Sequence, residues 1–275
     1  MIRLAASLVI AARQGNRAAL SAIVKNAERP IYNLAMRMLA HPEDAQDATQ
    51  EILIKIITNL GSIRDVEAAG GWAMRIACRL LIASSKRGRV EAMRLTFDGF
   101  ADDLAQGLDV STSTEPHDPE TELAINEIKI GCTLALLTCL KREARLAYVL
   151  GEIFELSDSE AAEALEIAPT TYRQRLKRSR DAILAFMNVR CGNVSKTAAC
   201  RCERRLTAAE KAGRISRGNS TYGLTIDAAT NVTRLRNVVH NLEEGRRAAA
   251  LMRSNPQFTS EIADLVMEIV ETNSN

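Results

Sequence analysis

Aromatic residues make up only 4% of this 275-residue chain, and tryptophan occurs once. Strands favour aromatic and β-branched residues, so a chain poor in the former and rich in alanine, leucine and isoleucine points to small helical units rather than a β-sandwich. No apolar run approaches the ~20 residues that span a bilayer, so no membrane partner is expected. The opening MIRLAASLVIAARQGN runs straight into Arg13 without a convincing cleavage site and reads as a first helix, which fits a cytoplasmic address. A nucleophile–base pair, a phosphate loop and a carboxylate dyad are all missing, so a non-enzymatic role is expected. Net charge is also scarce, at +2, but the average hides segregation. Asp98 to Glu122 holds eight acidic residues and no basic one, whereas Asn188 to Arg217 holds eight basic against two acidic. Such a chain is expected to meet nucleic acid with some parts and to avoid or mimic it with others.

What is present organises around LSDSEAAEALEIAPTTYRQRLKRSRDAI, Leu156 to Ile183. Ser157 and Ser159 can cap a first helix, Glu166 to Pro169 breaks the pattern, and Pro169 suits the first turn of a second helix because its missing N–H would have had no partner there. At 100° per residue Tyr172, Leu176, Ser179 and Ile183 share one arc and can seat on the first helix. Thr170, Gln174 and Lys177 then face away, flanked by Thr171, Arg173, Arg175, Arg178 and Arg180. A helix-turn-helix presents itself to DNA in this way, and a solvated basic face on an ordinary helical hairpin has the same pattern.

Upstream, helical spacing from Ala18 to Met38 is interrupted at Pro30, which predicts one helix ending there and another starting at Ile31. After His41-Pro42, the segment EDAQDATQEILIKII carries Asp44, Asp47 and Glu51 along one edge, with Gln50 beside them. Ala45, Ala48, Ile52 and Ile56 line another edge. Carboxylates near a helix N-terminus are favoured by its dipole in any case. A polar loop then leads past Gly70-Gly71 to a helical WAMRIACRLLIASSKRGR, ending in Lys86, Arg87 and Arg89. Trp72 suits a core anchor or a base-stacking platform.

Residues 16 to 87, with YNLAMRMLAHPEDAQDATQEILIKI, LGSIR and GWAMRIACRLLIASSKR in that order, resemble the core domain of extracytoplasmic-function (ECF) sigma factors of the sigma-70 family. The helix-turn-helix resembles their second domain. The resemblance implies an all-α chain of two small helical domains joined by an acidic linker, plus a mainly helical C-terminal extension. The bounds are 1–90 (region 2-like), 91–123 (linker, mostly unstructured), 124–187 (region 4-like) and 188–275 (extension). It further implies a sigma factor that binds core RNA polymerase through Asp44, Asp47, Gln50 and Glu51. The −10 promoter element would meet Trp72, Arg75, Arg79, Lys86 and Arg87. The −35 element would meet Thr170, Thr171, Arg173, Gln174, Arg175, Lys177 and Arg178. The chain departs from the family pattern at Arg79, usually asparagine, at Ala83, usually aspartate, and at Ile63, often phenylalanine.

Three of six cysteines, Cys78, Cys132 and Cys139, lie in apolar helical contexts and read as small buried hydrophobes. The other three, Cys191, Cys200 and Cys202, sit in a basic, glycine-containing stretch. With one further ligand they would suit zinc, His240 being a distant candidate; low-pKa thiols among arginines would suit redox sensing; an incidental cluster needs no cofactor at all. Beyond them, Leu235, Val238, Val239, Leu242, Ala248, Ala249 and Met252 mark one helix face. Ile262, Leu265, Val266, Ile269 and Val270 mark another. These faces either pack on the domains or act in place of an anti-sigma factor. The alternatives to a sigma factor are a helix-turn-helix regulator working without polymerase and a degenerate sigma-like protein responding to metal or thiol chemistry.

Overall fold

The computed structural model describes residues 2–83, 88–93, 95–109, 118–216, 220–223 and 244–272. Among these the chain is all-α, with an isolated backbone β-bridge between Cys191 and Cys200, whose thiols are free, and no strand. No helix among them is long and apolar enough to cross a membrane. Contacts group the chain into two units, residues 1–92, 142–176 and 257–275 in one and 93–141 and 177–256 in the other. This grouping cuts across the sequence-read bounds, because Arg142–Leu176 goes with the N-terminal helices.

In the first unit α1 (Ala6–Arg13), α2 (Arg17–Leu39), α3 (Pro42–Thr58) and α4 (Ala69–Ala83) pack together. Asn16 caps α2 by accepting from the Ala19 amide at 3.0 Å, and Pro42 opens α3 where its missing N–H costs nothing. The expected break at Pro30 does not occur, and α2 runs through it. An internal proline costs about 3 kcal/mol. Ile23, Val24 and Ala27 before it and Ile31, Leu34 and Ala35 after it are all fully buried, and burying that continuous stripe, at roughly 1.5–3 kcal/mol for each large side chain, outweighs the loss.

The same unit contains α5 (Arg89–Ala92), α8 (Arg142–Tyr148), a π turn (Val149–Ile153), α9 (Asp158–Ala164) and the start of α10 (Pro169–Arg190). Glu91 of α5 is buried between two cations of α8, 2.5 Å from Arg142 Nη2 and 2.7 Å from Arg145 Nη1. Arg145 also donates to the Met38 carbonyl and Arg142 to the Ile82 carbonyl, so the whole cluster is satisfied. Burial alone would raise the Glu91 carboxyl, but the hydrogen bonds and charges of Arg142 and Arg145 outweigh it and hold the group below its ordinary value. The C-terminal helix α13 (Ala263–Thr272) packs on α2 and α3. Ahead of it Phe258 exchanges backbone hydrogen bonds with the Asn33 side chain, and its ring lies 5.3 Å from the buried Arg37 guanidinium. On α13 the buried residues are Ala263 and Val266, while Leu265, expected on that face, is exposed. Its packed stripe is therefore rotated toward the small Ala263.

The second unit holds α6 (Phe97–Gln106), α7 (Pro119–Thr138), the rest of α10, a 3₁₀ turn (Cys202–Arg205), α11 (Leu206–Lys211) and α12 (Glu244–Arg253). Here α6 corrects the expected unstructured linker. Thr96 caps it through the Gly99 amide, and Phe100, Ala101 and Leu104 bury one face. Phe100 stacks on Phe186 at 5.5 Å, and Phe97 meets the same ring at 5.8 Å. The aromatic anchors at i and i+3 were obscured in the sequence by the acidic residues around them. The segregated charges also find each other. Asp103 pairs with Arg205 at 3.0 Å and Arg214 at 2.7 Å, and Asp109 and Arg204 exchange two hydrogen bonds of 2.8 Å. Part of the acidic run is thus neutralised by the basic run, so charge segregation here serves folding. Residues 110–117 and 224–243 of these segments, including His240 and the face from Leu235 to Leu242, lie outside the described residues.

Candidate nucleic-acid interface

The helix-turn-helix forms as its sequence dictates. Ser157 and Glu160 make a reciprocal capping box on α9, and Tyr172, Leu176, Ser179 and Ile183 of α10 are all buried, none more than 3% exposed. Gly151 permits this seating, since a Cβ there would overlap Tyr172 and Leu176. The turn between the helices carries Glu166 at φ 54°, a left-handed conformation that costs a non-glycine residue about 1 kcal/mol. Along α10, Thr170, Arg173, Gln174, Lys177 and Arg178 are exposed, and Thr171 and Arg175 are half-buried. Lys177 pairs with Asp181 one turn on at 2.7 Å, and Arg173 stands 3.8 Å from Asp158.

On α4, Arg75 and Arg79 face carboxylates of the helix-turn-helix. Arg75 Nη1 lies 2.5 Å from Glu163 Oε1, and Arg79 forms a two-pronged pair with Glu166. That pair raises the Arg79 guanidinium and lowers the Glu166 carboxyl through hydrogen bonding first and charge second. Trp72 is half-buried, Ala83 is exposed, and Ile63 is buried. Lys86 and Arg87 lie outside the described residues. The carboxylate partners were not foreseen; Glu163 and Glu166 stand in plain sight around the turn, but nothing local in the sequence ties them to α4.

The acidic edge of α3 divides. Asp47 and Glu51 are exposed, and no ion pair reaches them among the described residues. Gln50 is half-buried. Asp44 has a structural task instead, accepting the Arg89 amide at 2.6 Å at the start of α5, while Glu43 pairs with Arg89 Nη2 at 2.5 Å.

In the second unit Cys191, Cys200 and Cys202 are neighbours, as their spacing suggested. Cys191 and Cys200 form the isolated bridge, with the Gly192 amide donating to the Cys200 carbonyl at 2.9 Å. Of the alternatives, low-pKa thiols run against the burial of this cluster. Burial pushes Cys191 up to about 12 and Cys200 up to about 11, and Arg205, Arg201 and Arg204 only partly offset this at Cys200. Cys132, read from the sequence as a buried hydrophobe, lies on α7. Burial raises its thiol well above the ordinary value, and the charges of Cys191, Cys202 and Cys200 raise it further.

Comparison with known proteins accords with this geometry. Residues 23–90 match the family described as Sigma-70 region 2. The chain is 28% identical over 161 residues to the ECF RNA polymerase sigma factor SigE of Mycolicibacterium smegmatis, covering 57% of each chain. It is 28% identical over 182 residues to the ECF RNA polymerase sigma-E factor of Haemophilus influenzae, covering 64% of this chain and 92% of that one. It is 27% identical over 175 residues to the ECF RNA polymerase sigma factor SigW of Bacillus subtilis, covering 62% and 90%. The matched stretch thus spans little more than half of the first relative and about nine-tenths of the other two. The chain is thus similar to ECF sigma factors of the sigma-70 family, with residues 23–90 matching Sigma-70 region 2.

Proposed function

We propose that this chain works as a non-enzymatic sigma subunit, binding core RNA polymerase and directing it to promoter DNA in the cytoplasm. The observation that carries the reading is the exposed carboxylate edge of α3, Asp47 and Glu51, inside the segment that matches Sigma-70 region 2. Gln50 completes that docking edge, and Asp44 supports it by fixing the start of α5. The region 2-like part (1–90) takes the −10 element, with Trp72, Arg75, Arg79, Lys86 and Arg87 as its contacts. The region 4-like part (124–187) takes the −35 element in the major groove through Thr170 to Arg178. For DNA to bind, Arg75 and Arg79 exchange the carboxylates of Glu163 and Glu166 for phosphate oxygens. Both pairs are solvent-exposed and individually worth about 0–1 kcal/mol, so the exchange is accessible. The segment 257–272 gives the chain an internal partner for α2 and α3, which supports regulation by the extension itself beside any separate anti-sigma factor.

Run-off transcription with core polymerase and a promoter library tests this. Specific initiation is expected; duplex binding without initiation would favour a helix-turn-helix regulator working alone. A second reading, a degenerate sigma-like interaction protein, is favoured by the Arg79 pair with Glu166 at a position where the family usually has asparagine. It requires that core polymerase still binds while promoter opening is lost.

A further inference from the structure

Side chains of α2 read the backbone of the segment that follows Pro256. Asn33 Nδ2 donates to the Phe258 carbonyl at 2.8 Å, and Asn33 Oδ1 accepts the Phe258 amide at 2.9 Å. Glu28 Oε1 accepts the Ile262 amide at 2.6 Å, and Lys25 Nζ stands 3.8 Å from Asp264. Partners rise along the segment as they fall along α2, so the two run antiparallel. The seat is nevertheless a light one. Of the segment's apolar residues only Phe258, Ala263 and Val266 are buried, and Ser260 Oγ is buried with no partner among the described residues. An unpaired buried hydroxyl loses its hydration without return.

Phe258 also reaches past α2. Its ring lies 5.3 Å from the Arg37 guanidinium, and the ring of Phe154, which closes the π turn leading into α9, lies 5.7 Å from the same group. Arg37 is 1% exposed, no ion pair reaches it among the described residues, and its Nε is buried without a hydrogen-bond partner. Such a cation depends on its two rings and on the Asn33 oxygens, to which Nη1 donates at 3.0 and 3.1 Å. Beyond Phe154, α9 and the turn behind it carry Glu163 and Glu166, the partners of Arg75 and Arg79 on α4.

We propose that residues 257–272 are a releasable strap that, through Phe258 and Arg37, holds the helix-turn-helix closed over α4. Release withdraws one of the two rings, lets Arg37 turn toward water and loosens Phe154. The carboxylates of Glu163 and Glu166 then leave Arg75 and Arg79 free for the phosphates of a single strand. This rests on the reading of α4 as a surface that meets the −10 strand.

The test uses the full-length protein with a labelled mixed-sequence single strand, and the fluorescence of Trp72, the only tryptophan, which lies on α4. Phe258→Ala should bind the strand several-fold more tightly, with a steeper salt dependence, and shift Trp72 emission to the red. In a Glu163→Gln, Glu166→Gln background it should add little, because both changes act through the same pairs. Circular dichroism checks helix content. Should Phe258→Ala lose helix, Ile262→Pro, which removes the amide that Glu28 accepts, carries the same expectations. Equal affinity and unchanged emission in parent and strap variants would overturn the proposal, and so would gains that multiply as independent effects. A red-shifted Trp72 with no strand bound by any variant would support the strap and remove the reading of α4 as a DNA surface.

Discussion

Two faces of the same small bundle meet the world differently. The α3 edge presents Asp47 and Glu51 exposed, on a helix whose opposite side is anchored by Ile52, Leu53 and Ile56. The α4 face holds its arginines against Glu163 and Glu166 of the helix-turn-helix. An exposed carboxylate edge can dock as it stands, whereas a paired arginine must first change partners. Under the proposed function, the contrast separates a preformed docking surface for polymerase from a nucleic-acid surface in a covered state.

The largest effect should come from the cluster that keeps α8 in place beside α4. Glu91→Ala leaves Arg142 and Arg145 buried without their carboxylate, a loss of roughly 3–5 kcal/mol, read as a lower denaturant midpoint. The same group predicts a pH dependence. Its folded pKa lies below the ordinary 4.5, so its stabilisation is present above that value and fades as the pH falls through the folded pKa. The parent should therefore lose more stability on acidification than Glu91→Gln does.

Next in size is the open edge. Reversing Asp47 and Glu51 to lysine should weaken co-purification with core polymerase by about two orders of magnitude, since like charges brought together cost several kcal/mol. Unchanged recovery would remove the docking assignment. Glu163→Gln with Glu166→Gln should act in the opposite direction, strengthening binding of a −10 single strand several-fold and steepening its salt dependence as Arg75 and Arg79 become available. Equal affinity in parent and variant would mean that those arginines do not meet DNA. The smallest effect separates turn strain from ion pairing. Glu166→Gly relieves the left-handed φ while Glu166→Ala keeps it, and both lose the pair with Arg79, so the glycine variant should be more stable by about 1 kcal/mol.

Local patterns in the chain were enough for much of this. The buried seam Tyr172, Leu176, Ser179 and Ile183 followed from 100° periodicity, and the Ser157 cap from its side-chain oxygen, because both depend on residues within a few turns. Pro30 and α6 misled for the opposite reason. A proline's cost and a run of acids are local signals, and long-range burial of Ile31, Leu34 and Phe100 overrode them. On α13 the pattern found the helix but rotated its face, since Leu265 is exposed where Ala263 and Val266 are packed.

By itself the sequence determined the all-helical class, the helix-turn-helix, the acidic edge of α3 and the resemblance to ECF sigma factors, all carried by short-range spacing. Only the tertiary structure decided the partners. It put Glu163 and Glu166 against the arginines, Glu91 between Arg142 and Arg145, and Asp103 against the basic extension. The physical reason is that charge acts through space, over a few ångströms, between residues whose separation along the chain carries no information about their approach.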